Sequence, residues 1–229
     1  VSAPTGAPGL VAPPNHPPQA AADDPQATHH EPAAREQRSR YQPLLARPEG
    51  GPNPDRIHGE LGELMTRAAT VVRHNDELDA AYGRVYELEE EAGRASLSDN
   101  SPWANQNAVF ARALVDMFPL AKTILKGAQA RDECRGAHYK PEFAMPDVDA
   151  DDPAERRRQA EAWCTHFEEN NRKWLKSTVA TLPADGEPHL EYEPVDTSLV
   201  RPRPRLYGVN GGEAIEEVWK ARQANQPTG

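Results

Sequence analysis

Apolar residues recur every three or four positions along successive segments of the chain, with polar residues between them. The first stripe follows Asn53 and Pro54 and consists of Ile57, Leu61, Leu64, Ala68 and Val71. The second follows Asn75 and ends near Gly93; it consists of Leu78, Tyr82, Val85, Leu88 and Ala92. This spacing places each set on one face of an α-helix. The sequence therefore predicts two amphipathic helices with Asn53 and Asn75 as N-caps.

A third stripe predicts a long helix from Ser101 and Pro102 to about Gln129. Its apolar positions are Phe110, Leu114, Met117, Ala121, Ile124 or Leu125, and Ala128. Pro119 lies inside it and lacks the N–H that an interior turn requires, so we expect a kink or a break near Asp116. Three consecutive amphipathic helices with short connections predict a mainly α protein built on an antiparallel three-helix bundle.

The remaining segments have weaker patterns. A fourth helix is predicted from about Pro153 to Val179, and residues 183–207 form an extended, proline-punctuated strap. Glu213 to Gln223 is long enough for a short helix. Twelve of the 23 prolines fall within residues 1–54, among few large apolar residues. That segment has little to bury, so we expect disorder there.

These patterns divide the chain into three predicted regions. Residues 1–52 form a disordered segment rich in proline and alanine, residues 53–180 form the helical bundle domain, and residues 181–229 form an extended strap and tail. No internal repeat interrupts this order.

Charge and composition narrow the class of protein. The formal net charge of −10 repels polyanions, so we expect no binding to nucleic acid or to an anionic membrane surface. The sequence contains no apolar run near 18 residues and no secretory signal at its start, which predicts a cytosolic or peripheral protein. The two cysteines, Cys134 and Cys164, are expected to be free thiols.

The segment Arg131–Phe143, RDECRGAHYKPEF, concentrates reactive side chains after the third helix. Cys134 and His138, with Cys164 and His166, provide four conceivable zinc ligands. Structural zinc sites use paired ligands such as C-x2-C, however, and Cys-x-His is a poor chelating loop. A Cys–His nucleophile pair would need an orienting group and an oxyanion hole, and neither is visible in the sequence. We therefore expect no metal site and no catalytic residue here.

Two further motifs fail on spacing. The acidic run that begins at Asp147 has Asp152 and Arg158 where a calcium loop requires glycine and glutamate. The glycine-rich residues 208–213 lack the G-x-G-x-x-G spacing of a dinucleotide-binding turn. The sequence thus predicts no bound metal or nucleotide in this chain.

The four residues Arg135, Gly136, Ala137 and His138 instead predict a docking corner between a helix and an extended segment. Glycine permits a sharp turn, and arginine can make paired hydrogen bonds to another segment. We interpret His138 as a structural imidazole, with a role in proton transfer as the alternative.

Four ordered blocks resemble one known family, the flavoprotein subunits of succinate dehydrogenase and fumarate reductase, especially menaquinone-type bacterial enzymes. The blocks are residues 60–78, 98–143, 174–180 and 191–207. The resemblance is to the C-terminal helical part, which implies that the FAD domain is missing from this chain. Only Arg135, Gly136, Ala137 and His138 match as motif positions, and they imply docking of the helical domain near the FAD domain.

The resemblance also implies a cofactor, partners and a location. In such a subunit FAD oxidises succinate to fumarate, or catalyses the reverse, and electrons pass through an iron–sulfur subunit to a quinone at the membrane anchor. The expected partners are the FAD domain, the iron–sulfur subunit and the anchor, with the chain itself binding no cofactor. The expected location is cytoplasmic, peripheral on the inner face of the membrane and without direct insertion.

The chain departs from the family pattern in several places. Cys134 stands where serine is more usual, Pro119 interrupts the third helix, and residues 144–172 form an insertion. Two hypotheses follow. The first is a non-catalytic helical part of a flavoprotein subunit, which is a truncated product or one half of a split gene. The second is a stand-alone helical interaction module derived from that family.

Overall fold

The structure is a computed structural model, which describes residues 27–206 and 208–224. Its helices and strands are, in chain order, α1 (Ala27–Leu45), α2 (Pro54–Ala69), α3 (Asn75–Gly93), α4 (Gln106–Gln129), a 3-10 turn (Pro141–Phe143), α5 (Pro153–Trp174), β1 (Lys176–Thr181), β2 (His189–Pro194) and α6 (Gly212–Ala224). The described chain is mainly α, as the sequence predicts.

Helices α2, α3 and α4 form the predicted antiparallel bundle around the largest apolar cluster. The apolar stripes of the three helices supply its buried residues, which are Ile57, Leu61, Leu64, Ala68, Leu78, Ala81, Val85, Leu88, Ala92, Ala95, Leu114, Phe118, Ala121, Leu125 and Ala128. Burial of these side chains is the main favourable contribution to the fold of the bundle.

Helix starts agree with the sequence for α2 and differ for α3 and α4. The Asn53 side chain accepts a hydrogen bond from the Asp55 N–H, as expected of an N-cap. Asn75 is wrong as a cap: it is the first residue of α3, and His74 occupies the N-cap position. The Asn75 amide instead donates to Asp132 Oδ1 at 3.2 Å, so its side chain serves a tertiary contact.

The predicted start of the third helix at Ser101 is also wrong. Helix α4 begins at Gln106, and Asn105 is its N-cap, accepting from the Ala108 N–H at 2.8 Å. The Asn105 amide also donates to the carbonyls of Asp99 and Ser101. Ala104 has a φ of 52°, which right-handed helix excludes. Helix α4 therefore begins after the buried Asn105 and not at the Ser-Pro pair.

Of the kink or break expected near Asp116, the break is absent, since α4 continues from Gln106 to Gln129 with Pro119 inside it. Leu114 and Phe118 before Pro119 and Ala121 after it are buried in the same cluster. A break would expose one of these sets to water. The loss of burial would reduce the stability of the fold by about 1.5–3 kcal/mol for each large side chain. Packing on both sides thus keeps the helix continuous.

The predicted fourth helix is shorter than expected. Helix α5 ends at Trp174, and residues 176–181 form β1, which pairs antiparallel with β2. The register places Lys176 opposite Pro194 and Thr181 opposite His189. The β-branched residues Thr178 and Val179 favour this extended backbone. Part of the predicted strap is therefore the second strand of a hairpin.

Helices α5 and α6 form a second apolar cluster. Its buried residues are Val148, Ala160, Trp163, Cys164, Ile215 and Val218. The short C-terminal helix predicted from residue 213 to residue 223 is confirmed as α6. It is stabilised by this packing against α5, because a helix of this length is marginal alone.

The expectation of disorder for residues 1–52 needs correction over Ala27–Leu45, which is helix α1. Leu44 is buried beside Leu97, Ala108 and Ala111, and Tyr41 packs against the same group. Burial of these few apolar side chains offsets the entropy cost of ordering α1. The composition of residues 1–52 as a whole did not indicate this. Residues 1–26 lie outside the described residues.

Among the helices of the described ranges, none is long and apolar enough to cross a membrane.

Candidate docking site

The Arg-Gly-Ala-His segment forms a tight reverse turn. The Arg135 N–H donates to the His138 carbonyl at 2.8 Å, and the His138 N–H donates to the Arg135 carbonyl at 3.0 Å. Gly136 has a φ of 62°, as the first central residue of a type II′ turn requires. Gly136 and Ala137 are exposed at the tip. The predicted sharp turn is therefore present, with its two small residues facing solvent.

Backbone hydrogen bonds join this turn to the connection between α2 and α3. The Tyr139 N–H donates to the Val71 carbonyl at 3.1 Å, and the Arg73 N–H donates to the Tyr139 carbonyl at 2.9 Å. Val72 and Tyr139 thereby form a parallel bridge. The turn is thus fixed to the end of the bundle where α2 ends and α3 begins.

His138 is held between two partners inside this corner. Its Nδ1 lies 2.6 Å from Arg73 Nη1, and its Nε2 lies 2.8 Å from the Arg131 carbonyl oxygen. A guanidinium only donates, so Nδ1 accepts and Nε2–H donates, which fixes the neutral imidazole. Burial lowers the pKa of His138, and the charges of Arg73 and Lys140 lower it further, while the hydrogen bond to Arg131 opposes them.

Glu133 is fully buried between two arginines. Arg131 Nε donates to Glu133 Oε1 at 2.5 Å, and Arg135 Nε lies 3.1 and 3.0 Å from the two carboxylate oxygens. Arg131 also donates to the carbonyls of Trp174 and Lys176. A buried carboxylate is tolerated when it is paired in this way.

The same arginine pair connects the turn to the following helix and hairpin. Arg135 Nη2 donates to Asn171 Oδ1 of α5 at 3.0 Å, and Arg131 Nη1 donates to Thr178 Oγ1 of β1 at 3.2 Å. The corner therefore joins the bundle, α5 and the hairpin through charged side chains.

Lys140 is a second fully buried charge. Its Nζ donates to the Gln129 carbonyl at 3.0 Å and to Asp132 Oδ1 at 2.9 Å. Burial opposes ionisation of Asp132, but the hydrogen bonds from Lys140 and Asn75 outweigh it, so the pKa of Asp132 lies below its usual value. This ion pair lies at the C-terminal end of α4, where Lys140 satisfies the carbonyl of the last helical residue, Gln129.

The corner has no activated nucleophile among its described residues. The Cys134 thiol donates to the Lys140 carbonyl at 3.2 Å, and burial raises its pKa, so it remains a thiol. Both nitrogens of His138 are engaged in structural hydrogen bonds, which favours the structural interpretation over proton transfer. Cys164 lies in the other cluster, between α5 and α6. Within residues 27–206 and 208–224, no group of three or more metal-binding side chains is assembled.

Sequence reasoning missed three residues of this corner. Arg73 lies 65 positions before His138, and no motif in the sequence marks Glu133 or Lys140 as buried. One available signal is the density of opposite charges between residues 131 and 142, where neighbouring side chains can neutralise each other.

The glycine-rich turn before α6 does not fit a nucleotide. A Cβ atom built at Gly211 would overlap Val148, and one built at Gly212 would lie 3.1 Å from the Leu206 carbonyl oxygen. The glycines therefore allow close packing of this turn against the protein itself. This packing leaves no space beside Gly211 and Gly212 for a pyrophosphate.

Comparisons with known proteins identify relatives of this chain. The family model for the fumarate reductase flavoprotein C-terminus matches residues 58–207. The succinate dehydrogenase flavoprotein subunit of Bacillus subtilis is 38% identical over 160 residues, covering 69% of this chain and 23% of the relative. The fumarate reductase flavoprotein subunit of Haemophilus influenzae is 28% identical over 182 residues, covering 79% of this chain and 26% of the relative.

A solved structure shows the same fold. A chain of Escherichia coli quinol fumarate reductase superposes with a TM-score of 0.59 and 26% identity, covering 83% of this chain and 28% of that chain. This chain thus spans about a quarter of the length of the relatives it matches.

Proposed function

This chain belongs to the family of fumarate reductase flavoprotein C-terminal domains, and we propose that it serves as the helical part of a succinate dehydrogenase or fumarate reductase flavoprotein subunit. The match over residues 58–207 carries this proposal. The relatives are flavoprotein subunits of which this chain covers 23–26%. The reaction of the whole subunit then depends on sequence that these relatives have outside the matched region.

The proposed role of the chain is to dock on the FAD domain. The exposed tip formed by Gly136 and Ala137 supports this role, because small residues let another backbone approach closely. Arg135 and His138 act as positioning residues, since their hydrogen bonds are made within the chain. The tip is thus held by hydrogen bonds to the α2–α3 connection and to α5.

The chemistry of the subunit is proposed to take place on the FAD domain. FAD bound there supplies hydride transfer between succinate and fumarate, and this chain contributes no catalytic residue among those described. An iron–sulfur subunit and a membrane anchor are the proposed further partners, which places the chain at the inner face of the membrane. One chain in the structure of a quinol–fumarate reductase with menaquinol molecules and one in that of the Mycobacterium smegmatis Sdh1 complex share the fold.

Association with a flavin domain tests the proposal. The probe is the Bacillus subtilis succinate dehydrogenase flavoprotein subunit from which the region matching this chain has been removed, with its flavin absorbance as the check of folding. We expect the chain alone to show neither a flavin band nor succinate oxidation, and to bind the probe in isothermal titration calorimetry. A wild-type chain that does not bind the folded probe would contradict the proposal and favour a stand-alone interaction module.

Two variants test the turn itself. Arg135→Ala should leave the circular dichroism nearly unchanged but weaken binding about tenfold. The reason is that the turn loses the hydrogen bonds of this side chain to Glu133 and Asn171. Ala137→Glu places a charge at the exposed tip without touching the internal bonds, and it should weaken binding at least as much. Arg157→Ala, an exposed arginine of α5 paired with Glu161, is the matched control. Unchanged binding by both turn variants would refute docking through the turn.

A further inference from the structure

Helix α4 has a second apolar face that nothing in the described chain covers. Three large side chains lie on it with high exposed fractions: Val109 at 58%, Leu120 at 65% and Ile124 at 49%. Ala113 is exposed on the same side. With a rise of about 1.5 Å per residue, these four residues form a stripe about 22 Å long. We call these four residues the α4 stripe.

The periodicity of α4 distinguishes this stripe from the core face. Positions 109, 113, 120 and 124 differ by four, seven and four residues, which places them on one side of a helix. The core residues Leu114, Phe118 and Leu125 lie on the opposite side. Asp116 is near the stripe, and its carboxylate is paired with Arg112. Helix α4 is thus apolar on two faces, as expected of a helix packed on both sides.

The outer surface of α3 differs sharply from the stripe. Arg84 bonds Glu60 at 2.6 Å, Glu87 at 2.6 Å and Glu91 at 3.2 Å. Such exposed ion pairs are typical of a solvated surface. The bundle therefore has a charged side suited to water and an apolar side suited to a protein partner.

We propose that the α4 stripe is the main apolar contact of this chain with the FAD domain. This inference rests on the proposed function and identifies the surface that it uses. The relatives have about three quarters of their length outside the matched region, so the bundle has a large partner within the same subunit. The stripe ends at Ile124, and the Arg-Gly-Ala-His turn follows the same helix along the chain.

The net charge of the chain also favours this surface. With a net charge of −10 the chain does not attract anionic partners at long range, and contact through the stripe depends on short-range burial of apolar side chains. Ala113 lets a partner segment approach the helix closely between the larger side chains. Leu120, the most exposed of the large ones, is the expected centre of the contact.

Binding to the same truncated Bacillus subtilis subunit tests this surface. Leu120→Lys should weaken binding at least tenfold, and Ile124→Lys should have a similar effect. Val115→Lys is the matched control, since Val115 is a 38% exposed apolar residue of the same helix, about 140° around from Leu120. Because all three sites are exposed, their circular dichroism and thermal unfolding should match those of the wild-type chain.

The outcomes separate this inference from the proposed function. If the wild-type chain and Leu120→Lys bind equally, the stripe is not the contact, although docking itself stands. If Val115→Lys weakens binding as much as Leu120→Lys, the effect is not specific to the stripe and the inference fails. If the wild-type chain does not bind, both fail. If sedimentation shows a dimer of the chain alone that Leu120→Lys dissociates, a second copy covers the stripe and the inference is wrong.

Discussion

His138 shows how a single side chain depends on the charges that surround it. Its imidazole faces Arg73 from the α2–α3 connection, and Arg131, Glu133 and Lys140 from its own segment. Protonation would remove the acceptor that Arg73 requires and would place two positive charges 2.6 Å apart. The folded corner therefore requires the neutral ring.

The pKa of His138 gives a stability prediction with a definite sign. Burial lowers this pKa below the ordinary value of 6.5. The folded state therefore binds the proton less readily than the unfolded state, and its stability is complete above pH 6.5 and decreases as the pH falls below it. His74, whose pKa is raised by Glu142, contributes with the opposite sign. We expect the contribution of His138 to the free energy of unfolding in urea to decrease between pH 7.5 and pH 5.5.

The variant His138→Gln isolates this effect. Glutamine keeps a donor for the Arg131 carbonyl but does not titrate, so its stability should change less over the same pH range. Comparison of the two proteins cancels the contribution of His74. Equal pH dependence in both would show that His138 does not control the stability of the corner.

At this scale the sequence predicted part of the site. Gly136 is predictable because a sharp turn has a local requirement for positive φ. The partners Arg73 and Asn171 are not, since they lie 65 and 36 residues away from the residues they bond and no local pattern marks them. Local geometry follows from sequence here, and side-chain pairing across elements does not.

Among the elements, the start of α4 depends on the cap that makes the most hydrogen bonds. Replacing Asn105 with alanine removes the bond to Ala108 N–H and the two amide bonds to the preceding loop. The free energy of unfolding should fall by about 1–2 kcal/mol, as for other lost N-caps. Urea unfolding followed by circular dichroism measures this change.

Ser101→Ala is the matched control for the cap. Its hydroxyl makes one long hydrogen bond, 3.3 Å to the Trp103 carbonyl, so the stability should change by less than about 0.5 kcal/mol. A loss from Ser101→Ala as large as that from Asn105→Ala would show that α4 begins at the site the sequence suggested.

The sequence predicted the helices with long apolar periodicity, α2, α3 and most of α4, and also α5, with its C-terminal end placed too far, and α6. The errors concern residues whose structure depends on distant packing. Pro119 is tolerated because buried residues lie on both sides of it, and residues 176–181 become a strand because β2 pairs with them. Helix propensity alone does not include these contributions.

For the whole molecule, Glu187 makes a polar contact between the hairpin and helices α3 and α4 of the bundle. It lies in the connection between β1 and β2, and its carboxylate accepts from Tyr82 at 2.8 Å, from Tyr86 and from Lys126. The hydrogen bond from Lys126, followed by that from Tyr86, lowers the pKa of Glu187 to about 2. The contact therefore stays ionised through the neutral and mildly acid range.

Removing this carboxylate should loosen the hairpin without unfolding the bundle. For Glu187→Gln, hydrogen-exchange protection of the β1 and β2 amides at pH 6 should fall about fivefold, while the α2–α4 core stays protected. Glu191→Gln, an exposed residue of β2, should leave protection unchanged.

The pH dependence of the same contact provides a second check. Because the pKa is lowered on folding, the stabilisation is present above the ordinary value of 4.5 and is lost as the pH falls from there to about 2. Protection factors of the wild-type and variant hairpins should therefore converge near pH 2. A difference that persists there would refute the role of the ionised carboxylate.

The bridge between Val72 and Tyr139 joins two residues that are far apart in the sequence. The contacts of α2 with α3 and of α3 with α4 join neighbouring helices, whereas this bridge closes a loop of 67 residues that contains both α3 and α4. Loop closure costs least once the intervening chain is already compact. We therefore expect the three helices to assemble first and the corner with the Arg-Gly-Ala-His turn to form after them. During synthesis from the N-terminus, the bundle can form before Tyr139 has emerged from the ribosome.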